Sequence, residues 1–240
     1  MRLDHVVVLV RDLDEAIQDW RAQGFTVTPG GVHSDGLTHN ALVCFADGSY
    51  VELLAFRVAG AAHRWARYRG FWGPIDFAVG VDQLQERVRR WKQTLLPLES
   101  PHEGGRRRPD EIELRWRSAF PTDAHLGLPF FIEDITPREL RVPLGNKHTL
   151  HDNAASGIVQ VRVGVTQLSR AKQAYDLVFG PAETQPNTHI YSLKGCQVYL
   201  QRPAEHSPEA RFLAQRGEGV LAVTIGAPLP IVIRPEGVKA

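Results

Sequence analysis

At 240 residues, with 43% hydrophobic and 23% charged residues and a formal net charge of +1, the chain has the composition of an ordinary globular protein with a substantial core. That balance excludes a disordered or collagen-like chain and leaves no basic excess for a nucleic-acid footprint, the one concentrated cationic run being Arg106, Arg107 and Arg108. No apolar run approaches the ~20 residues that span a bilayer, so a cytoplasmic protein is expected, with neither nucleic acid nor membrane as partner.

In chain order, the β-branched run LDHVVVLV (residues 3–10) reads as a strand and residues 13–23 as an amphipathic helix. Asp12 caps that helix by accepting from free amides two or three residues on, and Gly24 ends it because glycine reaches the left-handed conformation cheaply. Strands follow at 25–28, 40–46 and 50–56, with Pro29, Gly30 and Gly31 turning the chain and Asp47 and Gly48 making a tight hairpin. The order is βαβββ.

The pattern then returns. Aligned without a gap on Leu13, Leu84 in IDFAVGVDQLQERV lies 71 positions on and Leu168 in IVQVRVGVTQLSRAK 155 positions on, which sets His5 against Asp76 and Gln160. The second copy runs strand 75–81, helix 83–93, a polar excursion over 99–110, and strands 111–118 and 128–135. The third has strand 158–165, helix 168–179 and strands 189–194 and 197–201, after which 220–225 and 230–234 make a truncated fourth. The fold class is therefore α+β, built of repeated βαβββ modules: residues 1–137 pair two modules around a cleft and residues 153–240 hold the third and the truncated fourth. The polar, proline-containing stretch 136–155 separates them. Cys44 and Cys196 lie in different copies without a CxxC spacing and read as small buried hydrophobes.

One βαβββ unit leaves a concave sheet face that needs a partner, so ligand chemistry is expected in the cleft between two units. His5 lies in LDHVVVLV and Glu52 in YVELLAF, where an unpaired polar group is costly. Glu133 in PFFIEDI follows a similar apolar run. With Asp76 from the facing sheet, these side chains would surround one point with one imidazole and several carboxylates, a set suited to Mn, Mg, Fe or Zn as the divalent ion. The same His and Glu on neighbouring strands would also satisfy each other by hydrogen bonding, and Asp76 would serve as well to cap a turn or meet an arginine.

GGVHSDGLTHNALVCF holds His33, His39 and Asn40, its glycines marking a turn or a close backbone approach. His39 reads as a ligand, a general base or a substrate donor, or else as a loop histidine at a strand entrance, and His33 and Asn40 as substrate contacts or ordinary loop residues. In RRRPDEIELRWR, alternation places Arg115 and Arg117 on one face and Leu114 and Trp116 on the other. Were the arginines to face the cleft they would select anionic substrates; otherwise they are solvated. His151 and Asn153 are candidates for the cleft rim or plain turn residues. Tyr199 stands where Glu52 would be in the third copy, which reads as structural. No phosphate loop or nucleophile elbow is present.

Through LDHVVVLVRDLDEAI, GFTVTPGGVHSDGLTHNALVCF, YVELLAF, LPFFIEDITP and HDNAASGIVQVRVGV the chain resembles the vicinal oxygen chelate superfamily, and within it the glyoxalase-like domain family. The resemblance places metal positions on His5, Glu52 and Glu133, with Asp76 where a His or Gln is usual. It implies chelation of substrate oxygens on adjacent atoms by a divalent ion, with a free carboxylate such as Glu133, or His39, moving the proton. The expectation is a metal-dependent lyase, isomerase or dioxygenase acting on a small oxygenated molecule. The alternative is a metal-free protein that sequesters an aromatic or hydrophobic small molecule against Trp72, Trp116, Phe130 or Phe131. A strand edge left open by the truncated module would suit a homodimer.

Overall fold

The computed structural model describes residues 1–236 and 238. The first module comprises β1 (Arg2–Leu9), α1 (Leu13–Ala22), β2 (Thr28–His33), β3 (Thr38–Cys44) and β4 (Tyr50–Phe56). The second comprises β5 (Gly73–Gly80), α2 (Leu84–Gln93), β6 (His102–Arg107), β7 (Glu113–Ala119) and β8 (Phe130–Asp134). Their strands close into one barrel in the order β1-β4-β3-β2-β6-β7-β8-β5. In each module the first strand runs parallel to the fourth, and the modules meet antiparallel at β1 with β5 and at β2 with β6. The cleft expected between two open sheets is thus the interior of a closed barrel.

Two short helices, α3 (Arg138–Arg141) and α4 (Asn146–Thr149), occupy the linker. Beyond it come β9 (Gly157–Gly164), α5 (Leu168–Phe179), β10 (Glu183–Gln185), β11 (Thr188–Leu193), β12 (Cys196–Gln201), α6 (Pro208–Arg216), β13 (Gly219–Gly226) and β14 (Ile231–Ile233). They form a six-stranded sheet, β10-β11-β12-β9-β13-β14. The helix α6 has no counterpart in the sequence reading.

Strand alternation divides the apolar side chains between two cores. Val7, Leu9, Leu54, Ala78, Phe130 and Ile132 point into the barrel. Val6, Val8, Val51, Leu53, Val79 and Phe131 point outward into a larger core shared with Val161, Val163, Val220 and Val223 of the second sheet. The local signals behave as their chemistry dictates: Asp12 accepts from the Glu15 amide at 2.9 Å, Gly24 takes φ +85°, and Gly48 takes φ +83° in the hairpin where Asp47 accepts from the Ser49 amide.

Two local expectations are corrected. The Pro29–Gly31 segment is not a turn but part of β2, with a bulge between Pro29 and Gly31. There Gly31 has φ +134°, and a Cβ on it would overlap the Arg107 carbonyl, so glycine allows the two modules to meet at the β2–β6 seam. The polar excursion contains β6, whose inward positions include Gly104 and Arg106 in place of an apolar alternation.

Candidate functional site

A cavity of about 370 Å³ opens inside the barrel. His5, His33, Asn40 and Glu52 form one side of it, and Trp65, Trp116, Phe120 and Phe130 form an aromatic wall, with Phe120 stacked on Phe130 at 4.6 Å. His5 is held in place by stacking on Tyr50 at 4.6 Å, and His33 meets the edge of Trp116 at 6.1 Å.

Glu52 is the centre of the polar side. Its Oε2 lies 3.6 Å from His5 Nε2, its Oε1 lies 3.5 Å from His33 Nε2, and Oε1 also accepts from Asn40 Nδ2 at 2.5 Å. Both imidazole approaches are too long for good hydrogen bonds. Burial alone would raise Glu52, but His33, the charge of His5 and the Asn40 amide hold it down to about 2. The carboxylate is therefore ionised throughout the neutral range and is no store of protons.

Each imidazole is fixed by its other nitrogen. His33 Nδ1 lies 2.8 Å from the Thr38 hydroxyl, and His5 Nδ1 lies 2.8 Å from Asp4 Oδ1. Asp4 is the extra residue of a bulge between Leu3 and His5, which turns its carboxylate beneath the cavity toward the linker. Arg141 donates to both of its oxygens, at 2.9 and 3.1 Å, and Arg138 donates to Oδ2. Burial acts against the Asp4 charge, yet Arg141, His5 and Arg138 hold its carboxyl well below the usual range. An ionised Asp4 accepts, so Nδ1 of His5 carries a proton, and Nε2 is the nitrogen that faces Glu52.

Among the described residues no group of three or more His, Cys, Asp or Glu side chains is arranged to hold a metal ion. His5, His33 and Glu52 are nitrogen and carboxylate donors of the types that divalent ions take, and each imidazole has a second partner on its far side.

The structure separates the residues singled out by sequence. His5, Glu52, His33, Asn40 and Trp116 come together at the cavity, and so does Phe130. Glu133 does not. In the first module Val7 pairs with Glu52, and in the second the equivalent Ala78 pairs with Phe130, so Phe130 occupies the counterpart of the Glu52 position. Glu133 falls on the outward alternation, where it accepts from the Gln83 amide at 2.7 Å at the start of α2 and faces Arg117 at 3.8 Å.

Asp76 lies in a neighbouring cavity of about 310 Å³, accepting from Trp65 Nε1 and the Phe77 amide, with burial pushing its carboxyl up. His39 pairs along β3 with Val32 and Ala55 but points away from the barrel interior, as the alternation with Thr38 and Asn40 requires. Arg115 and Arg117 are on the outer face, paired with Glu103. His151 is a structural bridge, accepting from the Thr26 amide through Nδ1 and donating to the Cys44 carbonyl through Nε2. Asn153 donates to the Gln23 carbonyl. Phe131 packs on Trp91 in the outer core, and Trp72 lies beneath the Arg11 guanidinium. In the third module Arg162, the equivalent of Val7, pairs with Tyr199.

Sequence reasoning missed Asp4, His63, Trp65, Arg106 and Arg141. Asp4 carried a readable signal, a second polar residue beside His5 in a strand that is otherwise apolar. Arg141 carried none, because its role depends on where the linker docks.

A family model described as a glyoxalase-like domain matches residues 3–179. No curated protein matches the chain. Among solved structures, a hypothetical protein from Staphylococcus aureus is 15% identical over 84% of this chain and 86% of its own, with a TM-score of 0.70. A mutant 4-hydroxymandelate synthase from Streptomyces coelicolor is 14% identical over 91% of this chain and 68% of its own, with a TM-score of 0.59. At such identities the likeness is one of fold.

Proposed function

Since the chain belongs to the glyoxalase-like domain family, we propose that it is a metal-dependent lyase, isomerase or dioxygenase acting on a small oxygenated molecule inside the barrel. The observation that carries this reading is the facing of His5 Nε2 and His33 Nε2 on the two oxygens of one buried, ionised Glu52. These three residues would hold the ion, with His33 in the place first given to Glu133, and two imidazoles with one carboxylate leave positions open for substrate oxygens. Bound there, a divalent ion supplies Lewis acidity to oxygens on adjacent substrate atoms. Asp4 fixes the His5 tautomer, Asn40 orients Glu52, and the aromatic wall excludes water from the far side of the substrate. His63 also lines the cavity, its Nδ1 accepting from the Trp65 amide, its Nε2 4.0 Å from Asp35, and its pKa lowered chiefly by burial.

Metal analysis after mild purification tests this. Wild type is expected to retain about one ion per chain, His5→Ala and His33→Ala to lose most of it, and Glu133→Gln to keep it. Equal, negligible metal in all four proteins would remove the metalloenzyme reading. The aromatic wall supports a second reading, a metal-free protein that sequesters a flat apolar molecule against Trp65, Trp116, Phe120 and Phe130. It requires ligand binding that is indifferent to chelator.

A further inference from the structure

We infer that Arg106 is a carboxylate-recognition residue at the floor of the barrel cavity, and that the substrate is a small carboxylic acid with an aromatic or branched apolar body. Arg106 points inward from β6, is 4% exposed and lines the cavity. The two linker arginines are ion-paired: Arg141, which also lines the cavity, with Asp4 and Asp134, and Arg138 with the same two acids. Arg106 has no acidic partner among the described residues. Its recorded hydrogen bonds go to neutral oxygens, Asn40 Oδ1 at 3.4 Å and the Arg141 carbonyl at 3.1 Å. Two of its five donors are thus used, one of them at long range.

A buried guanidinium without a counter-ion is expensive to keep. The fold nevertheless makes room for this one, since a Cβ on Gly30 would lie 2.6 Å from Arg106 Nη1 and overlap Asn40 Oδ1. Asn40 spans the gap to the nearest anion, taking the Arg106 bond on its oxygen and giving its amide hydrogen to Glu52, so the cation is held apart from that carboxylate instead of being neutralised by it. Burial pulls the Arg106 pKa down, the direction expected of a charge awaiting a partner. A planar carboxylate matches the guanidinium fork. A phosphate would call for further free cations beside Arg106, and the other deeply buried arginine lining the cavity, Arg141, is already paired. The apolar body follows from the aromatic lining of the same cavity, where Trp116, Phe120 and Phe130 offer ring faces and edges.

This inference rests on the barrel cavity being the ligand site, as read above, but not on an ion being bound there, so the test is made on chelator-treated protein. Phenylacetate and phenylacetamide have nearly the same shape and differ in charge. Their binding is followed through tryptophan fluorescence, to which Trp65 and Trp116 of the cavity contribute. Wild type is expected to bind the acid about tenfold tighter than the amide, Arg106→Gln to bind the two alike, and Arg106→Lys to fall between them, since lysine keeps the charge but loses the fork. Near-ultraviolet circular dichroism establishes that each variant is folded, and Arg106→Lys decides the matter if Arg106→Gln is not. Equal binding of acid and amide by wild type, an undiminished preference in Arg106→Gln, or saturable binding of neither probe up to about 10 mM overturns the inference. A preference seen only in metal-loaded protein also overturns it while leaving the metal reading intact. An Arg106-dependent preference in a protein that retains no metal supports it and separates it from that reading.

Discussion

Asp4 joins two functions in one side chain, setting the His5 tautomer from below and neutralising the two linker arginines. Replacing it with asparagine leaves Arg141 buried with Asp134 as its one remaining acid, and Asp4→Asn is expected to lower stability by about 3 kcal/mol or more in urea denaturation, as removal of one partner from a buried ion pair does. Asp4 titrates below the ordinary 3.8 in the folded chain, so its stabilisation is present above that pH and is lost as the pH falls beneath it. Acid unfolding should therefore be steep in wild type and shallower in Asp4→Asn from about pH 4 downward; parallel curves would show that the aspartate is not the group concerned. At this scale His5 and Glu52 were legible because polar side chains in apolar runs demand an explanation, and His33 and Asn40 because they share a glycine-marked strand entrance. Arg106 and Arg141 were not, since burial of an arginine is decided by distant packing and leaves no local pattern.

The elements themselves were largely legible, because the β-branched and apolar runs of β1, β4 and β5 and the cap at Asp12 are local properties of the chain. What failed was frame. In PFFIEDI the glutamate follows an apolar run as Glu52 does, but strand pairing fixes the inward positions at Phe130 and Ile132, and an odd offset sends Glu133 to the opposite face. There it serves α2, which has no side-chain cap of its own and begins at Gln83 with φ +56°. Glu133→Ala is accordingly expected to cost about 0.5–2 kcal/mol, the range of a lost N-terminal cap, as a lowered melting temperature with unchanged ligand binding. The strand β6 was hidden for a different reason: HEGGRR lines the cavity with glycines and an arginine where a buried strand ordinarily shows β-branched residues.

At the scale of the whole molecule, the barrel and the second sheet share one core, with Phe77, Val79 and Leu128 of the barrel half in the same cluster as Val163, Val165 and Val220. Tyr175 of α5 also donates to the Gly127 carbonyl at 2.6 Å. The two parts are expected to unfold together. All five tryptophans lie between positions 20 and 116, so fluorescence reports on the barrel while far-ultraviolet circular dichroism reports on both parts. Coincident denaturation curves from the two probes are the expected result, and separated midpoints would show two independent units. The linker arginines add a consequence for synthesis. A nascent chain that has emerged only as far as Ile135 has every strand of the barrel but neither cation for Asp4, so the pocket's underside stays electrically unfinished until α3 leaves the ribosome. The strands that frame the chamber are thus all made before the two arginines that complete its underside.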